Sequence, residues 1–145
     1  MENDEIGNLF ALSLRLHHIN KGVERKFKLS LVQLFVLQRL RHLPAASAQA
    51  LAAAIGVHAS TLTQTLRRLL KKEYIFIAED PRDSRRKLIS LTRGGKNVLD
   101  SVSAPLNKIL SGLGGRDKQS VERTLAYLSS FRKGLRMGEE RPLVR

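Results

Sequence analysis

The chain contains no cysteine and no tryptophan, and its 145 residues include only two tyrosines and five phenylalanines. Without a thiol there are no disulfides, no thiolate metal ligands and no cysteine redox switch. Proline occurs at four positions, so little of the chain is barred from helix. Long apolar runs are missing too: nothing approaches the roughly 20 residues that span a bilayer. The N-terminus, Met1-Glu2-Asn3-Asp4-Glu5, is acidic and lacks the basic segment and apolar core of a secretory signal. A soluble, cytoplasmic protein is expected. The scarcity of greatest consequence is of negative charge. Thirteen Asp and Glu face twenty-six Lys and Arg, leaving a formal charge of +13. Such a surplus favours a polyanionic partner, because phosphates neutralised by protein cations release condensed counterions. Nucleic acid is the first candidate and an anionic membrane surface the second.

Constellations for catalysis are also missing from the sequence. No paired carboxylates, nucleophile with a base, or metal motif stands out, and Gly112 to Gly115 lacks the Lys and Ser/Thr of a P-loop. No enzyme activity, cofactor or metal is expected. His17, His18 and His42 read as helix-surface or interface residues rather than ligands.

What is present is helical periodicity. From Asp4 to Lys28, apolar residues including Ile6, Leu9, Phe10, Leu14, Ile19, Val23 and Phe27 cover more than one face. A helix with two apolar faces suits one shared between its own core and a partner chain. Ser30-Leu31-Val32-Gln33 has the capping-box pattern, and the helix it opens stops before Pro44. Ser47 can cap a short helix from Ala48 to Ala54, with Gly56 taking the turn after it. A fourth helix, Ala59 to Lys72, is expected to bury Leu62, Leu66, Leu69 and Leu70. The period then changes. Tyr74 to Ile77 and Lys87 to Leu91 read as two strands of a hairpin, with Glu79 to Arg86 as a solvated polar loop. Thr92 can cap a fifth helix to about Leu110, and Asp117 a sixth that carries Val121, Leu125, Leu128, Phe131 and Leu135.

A short helix, a glycine turn and a polar-faced helix make a helix-turn-helix, whose second helix can lie in the major groove. Ser60, Thr61, Thr63 and Gln64 are short hydrogen-bonding side chains near its start, with Gln suited to adenine and Thr methyls to thymine. Arg67, Arg68, Lys71 and Lys72 are better placed for phosphates. Alone, this helix reads equally well as an amphipathic helix with a solvated basic face. The basic run after it, Arg82, Asp83, Ser84, Arg85 and Arg86, adds weight, since a basic hairpin can enter the adjacent minor groove. Asp83 can hold the Arg85 guanidinium in a defined direction.

Residues 55–95 resemble the core of the MarR family, the multiple antibiotic resistance regulators. The likeness rests on Gly56-Val57-His58-Ala59-Ser60-Thr61-Leu62-Thr63, then Leu69, Asp83-Ser84-Arg85, Leu91-Thr92 and Gly95. Asp83, Arg85 and Thr92 fall in the family's wing register. The resemblance implies a mainly α fold with a small β-hairpin (α+β): a winged helix-turn-helix with N- and C-terminal dimerisation helices in one domain. It divides the chain into a DNA-binding lobe over 30–92, a helical dimerisation layer over 1–29 and 93–137, and a tail over 138–145. It implies a sequence-specific regulator of transcription, in most relatives a repressor, acting as a homodimer on a pseudo-palindromic double-stranded DNA operator, with a small-molecule effector between layer and lobe. Membranes are not among the implied partners. The groove residues it implies are Ser60, Thr61, Thr63 and Gln64, with Arg67 and Arg68 on phosphates and Arg82, Asp83, Arg85 and Arg86 on the wing. A non-specific architectural DNA-binding protein is the alternative that the net charge allows. Two departures stand out. Glu73 occupies a position where the family has glycine, so the helix-to-strand turn is expected to differ. Gln64 and Ile77 stand where basic residues are common in the family, which implies a shifted base preference or a weaker phosphate contact.

Overall fold

Helix α1 (Glu5–Phe27) runs unbroken through Gly7 and Gly22, despite their low helix propensity. The computed structural model describes residues 5–112 and 115–139. After α1 the chain turns at Lys28, whose φ is +59° and whose amide donates to the Glu24 carbonyl at 2.9 Å. Helix α2 (Leu31–His42) starts on the expected capping box. The Ser30 hydroxyl accepts from the Gln33 amide at 3.2 Å, and the Gln33 side chain accepts from the Ser30 amide at 2.8 Å. Two orphan donors of the first turn are thereby satisfied.

Strand β1 (Ala46–Ser47) precedes helix α3 (Ala48–Ile55), which Ser47 caps through the Ala50 amide at 3.1 Å. Gly56, at φ +74°, makes the left-handed turn that only glycine adopts without penalty. Helix α4 (Ala59–Lys71) follows. Then come β2 (Ile75–Asp80), β3 (Asp83–Leu91), α5 (Arg93–Ser111) and α6 (Gly115–Glu139). The three strands form one antiparallel sheet in the order β1-β3-β2, with Ile89 opposite both Ala46 and Ile77. Strand β1 has only two residues, too few for an alternating pattern to show in the sequence.

Two compact units result, Met1–Ser103 and Ala104–Arg145. The core of the first gathers Leu29, Val36, Leu37, Leu40, Leu51, Leu62, Leu69, Ile75 and Ile89 around the three-helix lobe. Leu99 and Val102 of α5 close it. Each such aliphatic side chain stabilises by about 1.5–3 kcal/mol when fully buried. One expected core member differs. Leu70 is 38% exposed, and Thr65 takes part in the buried face of α4 instead. The Thr65 hydroxyl donates to the Thr61 carbonyl at 2.8 Å, so its burial leaves no polar group unsatisfied. In the second unit, α6 begins at Gly115, so Asp117 lies inside the helix rather than capping it, and Gly115 is helix rather than loop. Of the expected tail, residues 140–145 lie outside the described residues.

Candidate nucleic-acid interface

Helix α4 buries Leu62, Thr65, Leu66 and Leu69. With about 3.6 residues per turn, Ser60, Gln64, Arg67 and Lys71 then form one stripe directly opposite the core. Thr61, Arg68 and Lys72 lie on one flank of that stripe and Thr63 on the other. All of these side chains are exposed. The four expected groove residues thus do not share a single line, although the stripe and its flanks together form the outward half of the helix. The Thr63 hydroxyl donates to the Ala59 carbonyl at 2.9 Å, which leaves its methyl as the free contact group. His58 occupies the N-cap position without capping through its side chain.

The hairpin differs from the expected solvated loop. Strand β2 continues to Asp80 and β3 resumes at Asp83, so only Pro81 and Arg82 form the tip. Up to Glu79↔Lys87 the pairing is regular, and the next pair is Asp80↔Asp83. Ser84, Arg85 and Arg86 are therefore extra on β3 and bulge out of the ladder. Bulges re-aim side chains and strengthen local twist. Two aspartates hold this tip. Asp80 accepts the Arg82 amide at 2.9 Å, and Asp83 accepts the Arg85 amide at 3.0 Å. The expected Asp83 grip on the Arg85 guanidinium is corrected: the carboxylate fixes the Arg85 backbone, as aspartate commonly does two residues ahead. The guanidinium is left exposed, as are Arg82 and Arg86.

Wing and helix meet at Glu73, where a changed turn is expected. Glu73 takes φ +58°. Its amide donates to the Leu70 carbonyl at 2.9 Å, and the Tyr74 amide donates to the Leu69 carbonyl at 3.1 Å. These two bonds define a Schellman cap, so the turn is of the glycine type with glutamate in the left-handed position. Thr92 locks it from the other side. Its hydroxyl donates to the Glu73 carbonyl at 2.7 Å and accepts the Gly95 amide at 3.0 Å, while its own amide donates to the Tyr74 carbonyl at 3.1 Å. Gly95 is required by proximity, since a Cβ there would lie 2.0 Å from the Tyr74 carbonyl oxygen. Capping of α5 by Thr92 was legible in the sequence. Its second bond to Glu73 was not, because it joins residues nineteen apart.

A cavity of about 430 Å³ lies among the end of α2, β3 and the start of α5, lined by Leu40, Arg41, Ser90, Leu91, Lys96 and Asp100. Arg41 forms an ion pair with Asp100 and donates to the Lys96 carbonyl at 3.4 Å. Neither Arg41 nor Asp100 carried a sequence signal, as their pairing spans 59 residues. His17, His18 and His42 are exposed, and among the described residues no three His, Asp or Glu side chains cluster. Among the described residues, no helix is long and apolar enough to cross a membrane.

Comparison with known proteins agrees with this geometry. A family model described as MarR family matches residues 29–87, from the last core residue before α2 into the second wing strand. No curated protein sequence matches the chain at a significant level. Among solved structures, a probable transcriptional regulator from Pseudomonas aeruginosa superposes with a TM-score of 0.73 at 25% identity, covering 88% of this chain and 99% of that one. Bordetella bronchiseptica BpsR, whose DNA binding is regulated by 6-hydroxynicotinic acid, gives 0.72 at 22% identity, with coverages of 89% and 96%. A mutant MarR from E. coli, in complex with operator DNA, gives 0.65 at 22%, with coverages of 87% and 99%. Over residues 29–87 the chain is thus similar to the MarR family, and the winged helix fold it shares with these structures supports a DNA-binding transcriptional regulator of that kind.

Proposed function

We propose that the protein is a homodimeric, ligand-responsive repressor that recognises a pseudo-palindromic operator in double-stranded DNA. The observation that carries this reading is the outward half of α4, on one lobe with a bulged wing that exposes Arg82, Arg85 and Arg86. Ser60 and Gln64 are assigned to base edges, with the Thr61 and Thr63 methyls beside them. Arg67 and Arg68 are assigned to flanking phosphates, and Arg85, on a backbone oriented by Asp83, to the minor groove. Dimerisation is supported by the apolar side chains that α1 leaves exposed, among them Ile6, Phe10 and Ile19, and separately by Val121, Leu125 and Tyr127 of α6. The lobe over 30–92 then reads DNA, and the segments 1–29 and 93–137 hold two copies at a spacing of about 34–36 Å, one helical turn.

The cavity beside Arg41 is of a size that suits a small organic anion. A ligand carboxylate there would exchange with Asp100 for the guanidinium, and a ligand that favours the wrong helix spacing lowers DNA affinity. The relevant test is selection of duplexes from a random pool, with and without small aromatic acids. Enrichment of one inverted repeat that is lost with ligand is the expected outcome. The net charge of +13 favours a second reading, a non-specific architectural protein. Equal affinity for all duplexes at physiological salt would select that reading instead.

A further inference from the structure

A second cavity, of about 390 Å³, lies away from the wing, where the end of α1, the start of α2 and the end of α4 converge. It is lined by Glu24, Lys28, Gln33, Arg68, Lys71 and Lys72. We propose that this cavity is a binding site for a small phosphorylated anion, at the edge of the outward face of α4 and sharing Arg68 and Lys71 with it. Four of the six described lining groups are cationic: Lys28 from the turn after α1, and Arg68, Lys71 and Lys72 from the end of α4. The one carboxylate, Glu24, is directed to Lys21 at 3.5 Å rather than to any of the four. None of the four is in an ion pair among the described residues. Among the described lining residues, four cations against one carboxylate leave the cavity net positive.

Two further observations distinguish it from a solvated basic face. Gln33 is 95% buried, being 5% exposed, yet it lines the cavity. Its carboxamide oxygen is used by the Ser30 amide, and its Nε2 has no protein partner among the described residues. With the rest of Gln33 buried, an amide donor that has no protein partner is a group an anion oxygen can accept from. The rim is also held in place. The Lys72 ammonium donates to the Lys28 carbonyl, which the positive φ of Lys28 directs. That conformation costs a non-glycine residue about 1–2 kcal/mol and is retained here between two elements of the site.

The ligand class follows from charge and donors. Several cations beside one neutral N–H match a phosphate monoester or pyrophosphate, with multiple acceptor oxygens and a charge of about −2 or more negative. A duplex phosphodiester carries a single charge and is the competing occupant that a test must separate. The experiment titrates full-length protein with pyrophosphate and with inorganic phosphate by calorimetry, at ionic strength held constant with chloride. The variants are Arg68→Gln/Lys71→Gln, on exposed positions, and Arg85→Gln/Arg86→Gln as the wing control. Saturable binding of one pyrophosphate per chain, weakened about tenfold or more only by the first pair, is expected. Equal weakening by both pairs would reduce the effect to general charge and overturn the site. So would no saturation up to about 10 mM, the range where affinity becomes marginal. If Arg68→Gln/Lys71→Gln leaves anion binding intact but weakens all duplexes alike, the residues are DNA-backbone contacts and the proposal fails.

Discussion

Helix α4 and the wing carry the same kind of charge on the same lobe, yet they are held by different physics. Four side chains of α4 are locked into the core, so the outward groups project from a fixed cylinder. In β2 and β3, by contrast, the residues from Phe76 to Lys87 are almost all exposed. What positions them is the backbone ladder, two aspartate turns and a bulge. A helix anchored by packing can present side chains at the precision that base edges require. A ribbon anchored only by its backbone is better suited to placing charge in a groove whose width varies with sequence.

That contrast can be broken most severely from the packed side. Leu69→Ala, at a fully buried position of α4, should lower unfolding free energy by about 3–4 kcal/mol in urea titrations. Operator binding should fall with it, since the helix loses its seat. Gly95→Ala attacks the wing's base instead, forcing a Cβ against the Tyr74 carbonyl. A loss of about 2–3 kcal/mol is expected, measured by the same titration. A wing attached independently of this contact would show almost none.

Next come substitutions that spare the fold. Arg85→Ala should weaken operator binding by about 1–3 kcal/mol, by gel shift at physiological salt, with the melting temperature unchanged. Gln64→Ala should instead flatten preference at one base position in each half-site. Equal effects of Arg85→Ala on all duplexes would make the wing a phosphate contact alone. The smallest effect is a gain. Glu73→Gly relieves a left-handed conformation that glutamate holds at φ +58°, and should stabilise by about 1 kcal/mol. A destabilised glycine variant would mean that the Glu73 side chain contributes something the backbone does not reveal.

The elements that were legible in the sequence share one property: their signals lie within a few residues. Ser30 with Gln33, Ser47 with Ala50 and Thr92 with Gly95 are pairs three apart, and each forms as expected. The sequence places both hairpin strands but shortens them, because Glu79, Asp80 and Asp83 to Arg86 are polar on both faces and leave no alternation to read. Spacing alone puts Leu70 in the core, while a buried hydroxyl such as that of Thr65 looks polar until its carbonyl partner is seen. The family likeness supplied the wing register, yet the role it implied for Asp83 fell on a backbone amide rather than a guanidinium.

By itself, then, the sequence determined the order of the helices, their caps, the turn at Gly56 and the excess of positive charge. Those follow from local hydrogen bonding, periodicity and composition, which need no knowledge of the fold. Tertiary structure alone decided the third strand, the bulge that sets Arg85 and Arg86 outside the ladder, and the Glu73 turn locked by Thr92. It also decided the gathering of Lys28 with Arg68, Lys71 and Lys72 around one buried glutamine. Each of these depends on residues brought together across long stretches of chain, where the energy of packing and pairing overrides what any short window prefers.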